Sequence, residues 1–172
     1  MEYYSLKLSP YVKNPIRIKK LDILASKTSF EAYNDLNIYY FDYEEDRTEI
    51  TSILTSPIFL IDKEIRDLFS LYSNTMKFKG LQLFSTDEID KKKAVLYFLP
   101  DIPKVDCLSK KARINPNGTI DTIIIEKTKL EDYPIFGLDQ IAEQKVIINE
   151  DVAESLLRRN LYGTGFEKVT VL

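Results

Sequence analysis

The feature that most constrains the fold of this chain is a short pattern that occurs twice. An apolar run leads into a helix-capping residue, a helix with one apolar stripe follows, and a second apolar run closes the unit. Leu60-Ile61-Asp62-Lys63-Glu64-Ile65 is matched 87 positions later, from residue 62 to 149, by Ile147-Ile148-Asn149-Glu150-Asp151-Val152. Beyond the helix, Phe78, Leu81 and Leu83 are matched 88 positions later by Phe166, Val169 and Val171. Asp62 and Asn149 carry side-chain oxygens that can accept from the free N–H groups of a first helical turn. Ile65, Leu68, Phe69 and Tyr72 stand at i, i+3, i+4 and i+7, which predicts a helix over residues 63–72 with one buried face. The second helix is expected over residues 150–160, with Val152, Leu156 and Leu157 inward and Gly163 and Gly165 ending it. The pattern is read as a pseudo-repeated strand–helix–strand unit.

The remaining signals are those of strands. Residues 3–8, 38–43, 57–61, 78–84, 94–99, 135–138, 146–148 and 166–171 are short, apolar or aromatic, and bounded by turn residues. Residues 16–24 read as strand or irregular, 29–36 as a loop or helical turn, 44–47 as an acidic turn, and 103–108 as extended or briefly helical. Pro116-Asn117-Gly118 between residues 113–115 and 119–126 predicts a hairpin, with both Asn117 and Gly118 at positive φ. The fold class is therefore α+β: a mostly antiparallel or mixed sheet with few short helices. At 172 residues the chain suits a single domain, residues 1–172, with two pseudo-repeat halves (about 1–90 and 91–172) sharing a core.

The chain contains no histidine. Ser-His-Asp and Cys-His nucleophile systems and histidine metal sites are excluded, so an enzyme here would have to work with carboxylates, Lys, Tyr or Cys107. Cys107 is the only cysteine, which rules out an internal disulfide. It has no basic neighbour in sequence to activate it and reads as a buried, inert thiol. The N-terminus lacks a basic stretch followed by an apolar one, and no apolar run approaches the ~20 residues of a membrane span. These features lead us to expect a soluble protein of a reducing compartment, the cytoplasm, with no membrane association.

Net charge is −3, from 24 basic and 27 acidic residues. That balance opposes nucleic-acid binding. Three basic clusters would have to converge to hold phosphate: Lys13, Arg17, Lys19 and Lys20; Lys91, Lys92 and Lys93; Lys110, Lys111 and Arg113. Tyr39, Tyr40 and Phe41 could then stack bases. Asp62, Glu64, Glu150 and Asp151 stand at the two helix starts, where they suit capping and the helix dipole rather than chemistry. Gly163-Thr164-Gly165 follows a helix instead of preceding one, so it is not a phosphate loop. The densest acidic cluster is Asp42, Glu44, Glu45 and Asp46. Its spacing fits no Ca²⁺-binding loop, and it reads either as a solvated turn or as an acidic face that docks on a basic partner. No cofactor-binding, metal-binding or catalytic residue is assigned.

From Tyr97 onward the chain resembles a known family. Tyr97-Phe98-Leu99-Pro100-Asp101-Ile102-Pro103-Lys104-Val105-Asp106-Cys107-Leu108 is similar to a Tyr-rich strand and Val-Asp-x-Leu segment of bacterial polymorphic-toxin immunity proteins, a family formerly described as a domain of unknown function. Pro134-Ile135-Phe136-Gly137-Leu138 resembles a later strand of that family, and Val146 to Leu157 running into Gly163-Thr164-Gly165-Phe166 resembles its ending. Ile58 to Ile65 resembles its first half. The resemblance spans about residues 57–172; Ser109 and Lys110 depart from it, and residues 1–56 carry none of it. It implies a cytoplasmic, non-enzymatic protein that binds and neutralises a cognate toxin domain, and it carries over no catalytic residue. Two other classes stand beside it on the residues alone. One is a carboxylate- and metal-dependent enzyme, which calls for acidic side chains with raised pKa converging in a cleft. The other is a non-catalytic scaffold subunit, a homo-oligomer joined through strand edges.

Overall fold

The computed structural model describes residues 1–21, 28–86 and 93–172. Lys91 and Lys92, and residues 22–24 of the segment expected at 16–24, lie outside them.

The architecture is α+β, with mixed sheets and, among the described residues, two α-helices. The first sheet takes its strands from the first hundred residues: β2 (Leu36–Phe41), β3 (Ile53–Leu54), β4 (Leu60–Ile61), β5 (Phe78–Ser85) and β6 (Ala94–Pro100), in the order β2-β5-β6-β4-β3. The second is built from β1 (Tyr3–Leu8), β7 (Lys104–Val105), β11 (Ile135–Leu138), β12 (Val146–Asn149) and β13 (Thr164–Lys168), in the order β13-β1-β12-β11-β7. In the first sheet β4 and β5 both run antiparallel to β6, which lies between them. In the second β12 and β13 both run antiparallel to β1, which lies between them. Helix α1 (Lys63–Tyr72) connects β4 to β5, and α2 (Glu150–Leu157) connects β12 to β13.

Both helices begin where a side chain caps them. Asp62 Oδ1 accepts from Ile65 N at 3.0 Å, and Asn149 Oδ1 accepts from Val152 N at 3.0 Å. Each cap satisfies one of the orphan donors of a first turn and contributes about 1 kcal/mol. The buried stripes are Ile65, Leu68 and Phe69 on α1 and Val152, Ala153 and Leu156 on α2. The helices pack on each other, with the Tyr72 hydroxyl donating to Asp151 O at 3.0 Å and sharing a 2.7 Å bond with Ser155 Oγ.

Strand alternation sorts the apolar residues into three cores. The central core joins one face of each sheet to both helices: Ile53 and Ile61 from the first sheet, Leu6, Ile135, Val146 and Ile148 from the second. The far face of the first sheet (Phe41, Leu60, Leu81, Leu83, Tyr97, Leu99) is covered by Ile16, Ile18 and Tyr33. The far face of the second (Phe136, Leu138, Ile147) is covered by the excursion carrying Cys107, Leu108, Ile120 and Ile125. That is why the strands read as unbroken apolar runs: successive residues such as Leu60 and Ile61, or Ile147 and Ile148, point into different cores.

Several expectations are corrected. Helix α2 stops at Leu157, and Leu157 is 68% exposed while Ala153 is buried. Its last turn tightens, Arg159 N donating to Leu156 O at 3.0 Å, which ends the helix before residue 160. Gly163 and Gly165 do not end it. Gly163 lies in the following turn at φ +83, where an added Cβ would come within 2.7 Å of Thr51 Cγ2, and Gly165 belongs to β13. The run at 57–61 forms a ladder only at Leu60–Ile61, because Phe59 N donates to the Gln144 side chain at 2.9 Å instead of to a strand. The last strand is two, β13 and β14 (Thr170–Val171); β14 leaves the second sheet and pairs in parallel with β10 (Ile124–Ile125). The hairpin at 116–118 forms between β8 (Arg113–Ile114) and β9 (Ile120–Thr122), but only Gly118 has positive φ. Asn117 instead accepts from Thr119 N at 3.1 Å and Thr119 Oγ1 at 2.7 Å, a side-chain turn that needs no left-handed backbone.

Candidate functional site

The face of the first sheet that carries α1 is only half covered. The β2–β5–β6 register sets three rows across it: Leu36, Gly80 and Phe98; Ile38, Gln82 and Leu96; Tyr40, Phe84 and Ala94. Helix α1 lies toward the β6–β4 side, where Ile61 and Phe98 join the central core. Nothing among the described residues covers the β2 side. Leu36 and Ile38 are each 58% exposed, Tyr40 52% and Leu96 40%. Tyr40 and Phe84 stack loosely, ring centroids 6.4 Å apart. A face turned to water normally alternates to polar residues; here Gln82 is the one polar side chain in three rows, and its amide is turned down onto Val95 O at 3.2 Å.

Between this face and α1 runs an open groove of about 470 Å³, floored by Leu36, Gly80, Leu96 and Phe98 and walled by Arg66 and Ser70. The Arg66 guanidinium lies 4.3 Å from the centre of the Phe98 ring and bonds Asp67 at 2.7 Å. Lys63 holds Asp67 from the other side at 2.7 Å. Hydrogen bonds from Lys63 and then Arg66 keep the Asp67 carboxyl below the usual carboxylate range. The helix wall thus sets two cations, Lys63 and Arg66, on one carboxylate, Asp67, and the sheet wall is apolar.

The residues singled out in sequence stand at one end of this face. Asp42 follows directly on β2, bonded to Lys19 Nζ at 2.9 Å and to Thr86 Oγ1 at 2.8 Å; the Lys19 bond and then the Thr86 bond lower its pKa. Glu44 pairs with Arg47 at 3.2 Å inside a turn closed by Thr48 N donating to Glu44 O at 2.9 Å. Glu45 and Asp46 form the exposed tip, with Asp46 at φ +65. At the other end of β2 stands exposed Asp35. Tyr39 and Phe41 face away from the bare side: Phe41 is wholly buried and Tyr39 packs against the same core, so the three aromatics do not form one stacking surface. Of the basic residues, Lys19, bonded to Asp42, and Lys93, 5.5 Å from the centre of the Tyr43 ring, both stand at this end of β2, whereas Lys110 and Lys111 lie in a turn over the second sheet, after Leu108 pairs with Ile125.

A second opening of about 550 Å³ lies where the sheets adjoin, lined in part by Phe30, Ile58, Leu99, Ile102 and Lys145. Three of its polar side chains are engaged structurally: Gln144 accepts from Phe59 N, and Glu143 accepts from Ile120 N at 2.7 Å and pairs with Lys145 at 3.4 Å. Cys107 is buried, its thiol pushed up to about 11 by burial first and the neighbouring Asp106 second. Among the described residues the carboxyl groups with displaced pKa (Glu2, Asp42, Glu49, Asp67, Glu126 and Glu167) all move down, each held by hydrogen-bond donors. No helix among the described residues is long and apolar enough to cross a membrane.

The bare face is not among the sequence expectations, which read Asp42, Glu44, Glu45 and Asp46 as a solvated turn or an acidic docking face. Its signal was Leu36, Ile38 and Tyr40 at a period of two beside an equally apolar Tyr39 and Phe41. No family profile matches the chain, and no curated protein matches it.

Proposed function

We propose that this chain is an immunity protein that binds a cognate bacterial toxin domain stoichiometrically and neutralises it, acting in the cytoplasm and without catalysis. The observation that carries the reading is the bare apolar face of β2, β5 and β6. Leaving four large apolar side chains in water on one sheet face forgoes roughly 25 cal/mol for each Å² that could be buried, and a contiguous apolar face of this kind marks an interaction site. The resemblance over residues 57–172 to polymorphic-toxin immunity proteins supplies the kind of partner. A carboxylic general acid calls for a raised carboxyl pKa, and among the described residues the displaced carboxyls go the other way.

The two strand–helix–strand units are read as a pseudo-repeat. In support, α1 and α2 each start from a side-chain cap and each connect two parallel strands that flank an antiparallel third. Such a duplication supplies two stacked packing units and is neutral as to function.

The test is co-expression of the chain with each toxin-like C-terminal domain encoded beside its gene, scored by growth rescue and by a one-to-one complex in sedimentation. Rescue by the chain together with that complex supports the reading. Loss of rescue across all such domains, with the chain folded and abundant, sinks it.

A further inference from the structure

We infer that the occupant of the bare β2 face is a cationic protein surface, one that presents apolar side chains flanked at both ends by Lys or Arg. The inference rests on reading the chain as a stoichiometric binder and adds the chemistry of the partner.

Charge along β2 decides it. Residues 35–46 hold five carboxylates (Asp35, Asp42, Glu44, Glu45 and Asp46) and no Lys or Arg. They stand at the two ends of the strand whose middle is Leu36, Ile38 and Tyr40. Lys19 neutralises Asp42 and Arg47 holds Glu44. Among the described residues Asp35, Glu45 and Asp46 have no ion-pair partner and are exposed. The surface is thus an apolar strip with unpaired carboxylates at each end: Asp35 at one, sharing the groove with the Asp67-bound Arg66, and Glu45 and Asp46 at the other, where Lys93 lies 5.5 Å from the centre of the Tyr43 ring; the two ends of the strand are roughly 23 Å apart at ~3.3 Å per residue.

That arrangement discriminates between occupants. A second copy laid antiparallel along β2 under two-fold symmetry would set Asp35 of each chain against the 42–46 turn of the other, acid on acid at both ends. Like charges brought together at an interface are penalised, so self-association is disfavoured. Nucleic acid is repelled by the same charges. A protein with basic groups spaced to reach both ends gains at each, and its apolar centre buries the strip.

A chemical probe tests this without the toxin. An alternating lysine–leucine peptide of about seven residues, long enough to span β2, is titrated into the ¹⁵N-labelled full chain, as is its glutamate–leucine counterpart. The expected result is saturable shift changes centred on Leu36, Ile38, Tyr40 and Leu96, with the glutamate peptide at least about tenfold weaker. Ile38→Lys and Glu45→Lys, both at exposed positions, should each weaken the lysine peptide several-fold, about tenfold for Ile38→Lys. Leu157→Lys, on the exposed side of α2, should leave it unchanged. Shift changes clustering elsewhere, equal binding of both peptides, or a dimer in sedimentation that Ile38→Lys abolishes would overturn the inference. A toxin neutralised equally well by wild type and by Ile38→Lys also overturns it while leaving immunity intact. A probe that maps to this face in a chain that rescues from no toxin supports the inference and removes the proposed function.

Discussion

The buried phenol of Tyr97 offers the sharpest test of how the first sheet is held together. Tyr97 sits on β6 with no exposed surface, and its hydroxyl donates to Thr51 O at 2.6 Å, tying the strand to the segment that leads into β3. Thr51 Oγ1 in turn donates to Ile53 O at 2.6 Å, so the link is part of a small buried network. Tyr97→Phe keeps the ring and its packing but leaves the Thr51 carbonyl without that donor. A buried acceptor stripped of its partner costs about 1–3 kcal/mol, and that is the loss expected at pH 7 in urea unfolding. The same residue predicts a pH signature. Burial pushes the Tyr97 phenol up from its ordinary value of 10 to about 12. The folded state then keeps the proton while the unfolded state loses it, so the wild-type contribution is intact below pH 10 and disappears as pH rises through 12. Two pH units correspond to about 3 kcal/mol. Tyr97→Phe has no such proton to lose. The stability gap between wild type and variant should therefore shrink steadily above pH 10 and close near pH 12. Titration of every other residue cancels in that difference. A gap that stays constant from pH 7 to pH 11.5, or a variant as stable as wild type at pH 7, would refute the reasoning.

Three other outcomes follow from the geometry. Asp62→Ala and Asn149→Ala should each cost about 1 kcal/mol in the same unfolding assay, with restoration by Ser at either position. Gly163→Ala should destabilise by more than about 1 kcal/mol, since φ +83 and the Thr51 side chain both oppose a Cβ; a neutral effect in thermal unfolding would contradict the turn. Cys107 should resist a disulfide reagent at pH 8 in the native protein and react fully in denaturant, and rapid native labelling would contradict its burial.

Much of this fold is legible from residues because local chemistry fixes it. Asp62 and Asn149 announce helix starts, and the spacing of Ile65, Leu68 and Phe69 admits one buried stripe, so α1 has the predicted limits. The central strands β1 and β11 also match their expected bounds. What was not legible depends on neighbours. Leu157 fits an apolar stripe in sequence, yet a tightened last turn turns it to water. Strands of two residues such as β3 and β14 carry too little pattern to stand out. The bare face is the clearest case. With Leu36, Ile38 and Tyr40 on one side and Tyr39 and Phe41 on the other, β2 reads as buried on both. Only the position of α1, set by β4 and β6, decides which side is left open. The acidic turn at 42–46 was legible as a cluster of charge, but not as one end of an apolar strip.

The placement of β1 has a consequence for synthesis. The five strands of the first sheet all lie between residues 36 and 100, so that sheet can be completed while the second half of the chain is still being made. Tyr3–Leu8 is made long before its partners, Val146–Asn149 and Thr164–Lys168. That strand must wait, unpaired on both edges, until residues 146–168 have been made, about 10–30 s at typical elongation rates. Its alternation of Tyr4, Leu6 and Leu8 with Tyr3, Ser5 and Lys7 makes it an open template for wrong pairing throughout that interval. The demand for assistance during biogenesis thus falls on β1, which takes its place between β12 and β13 only after both have been made.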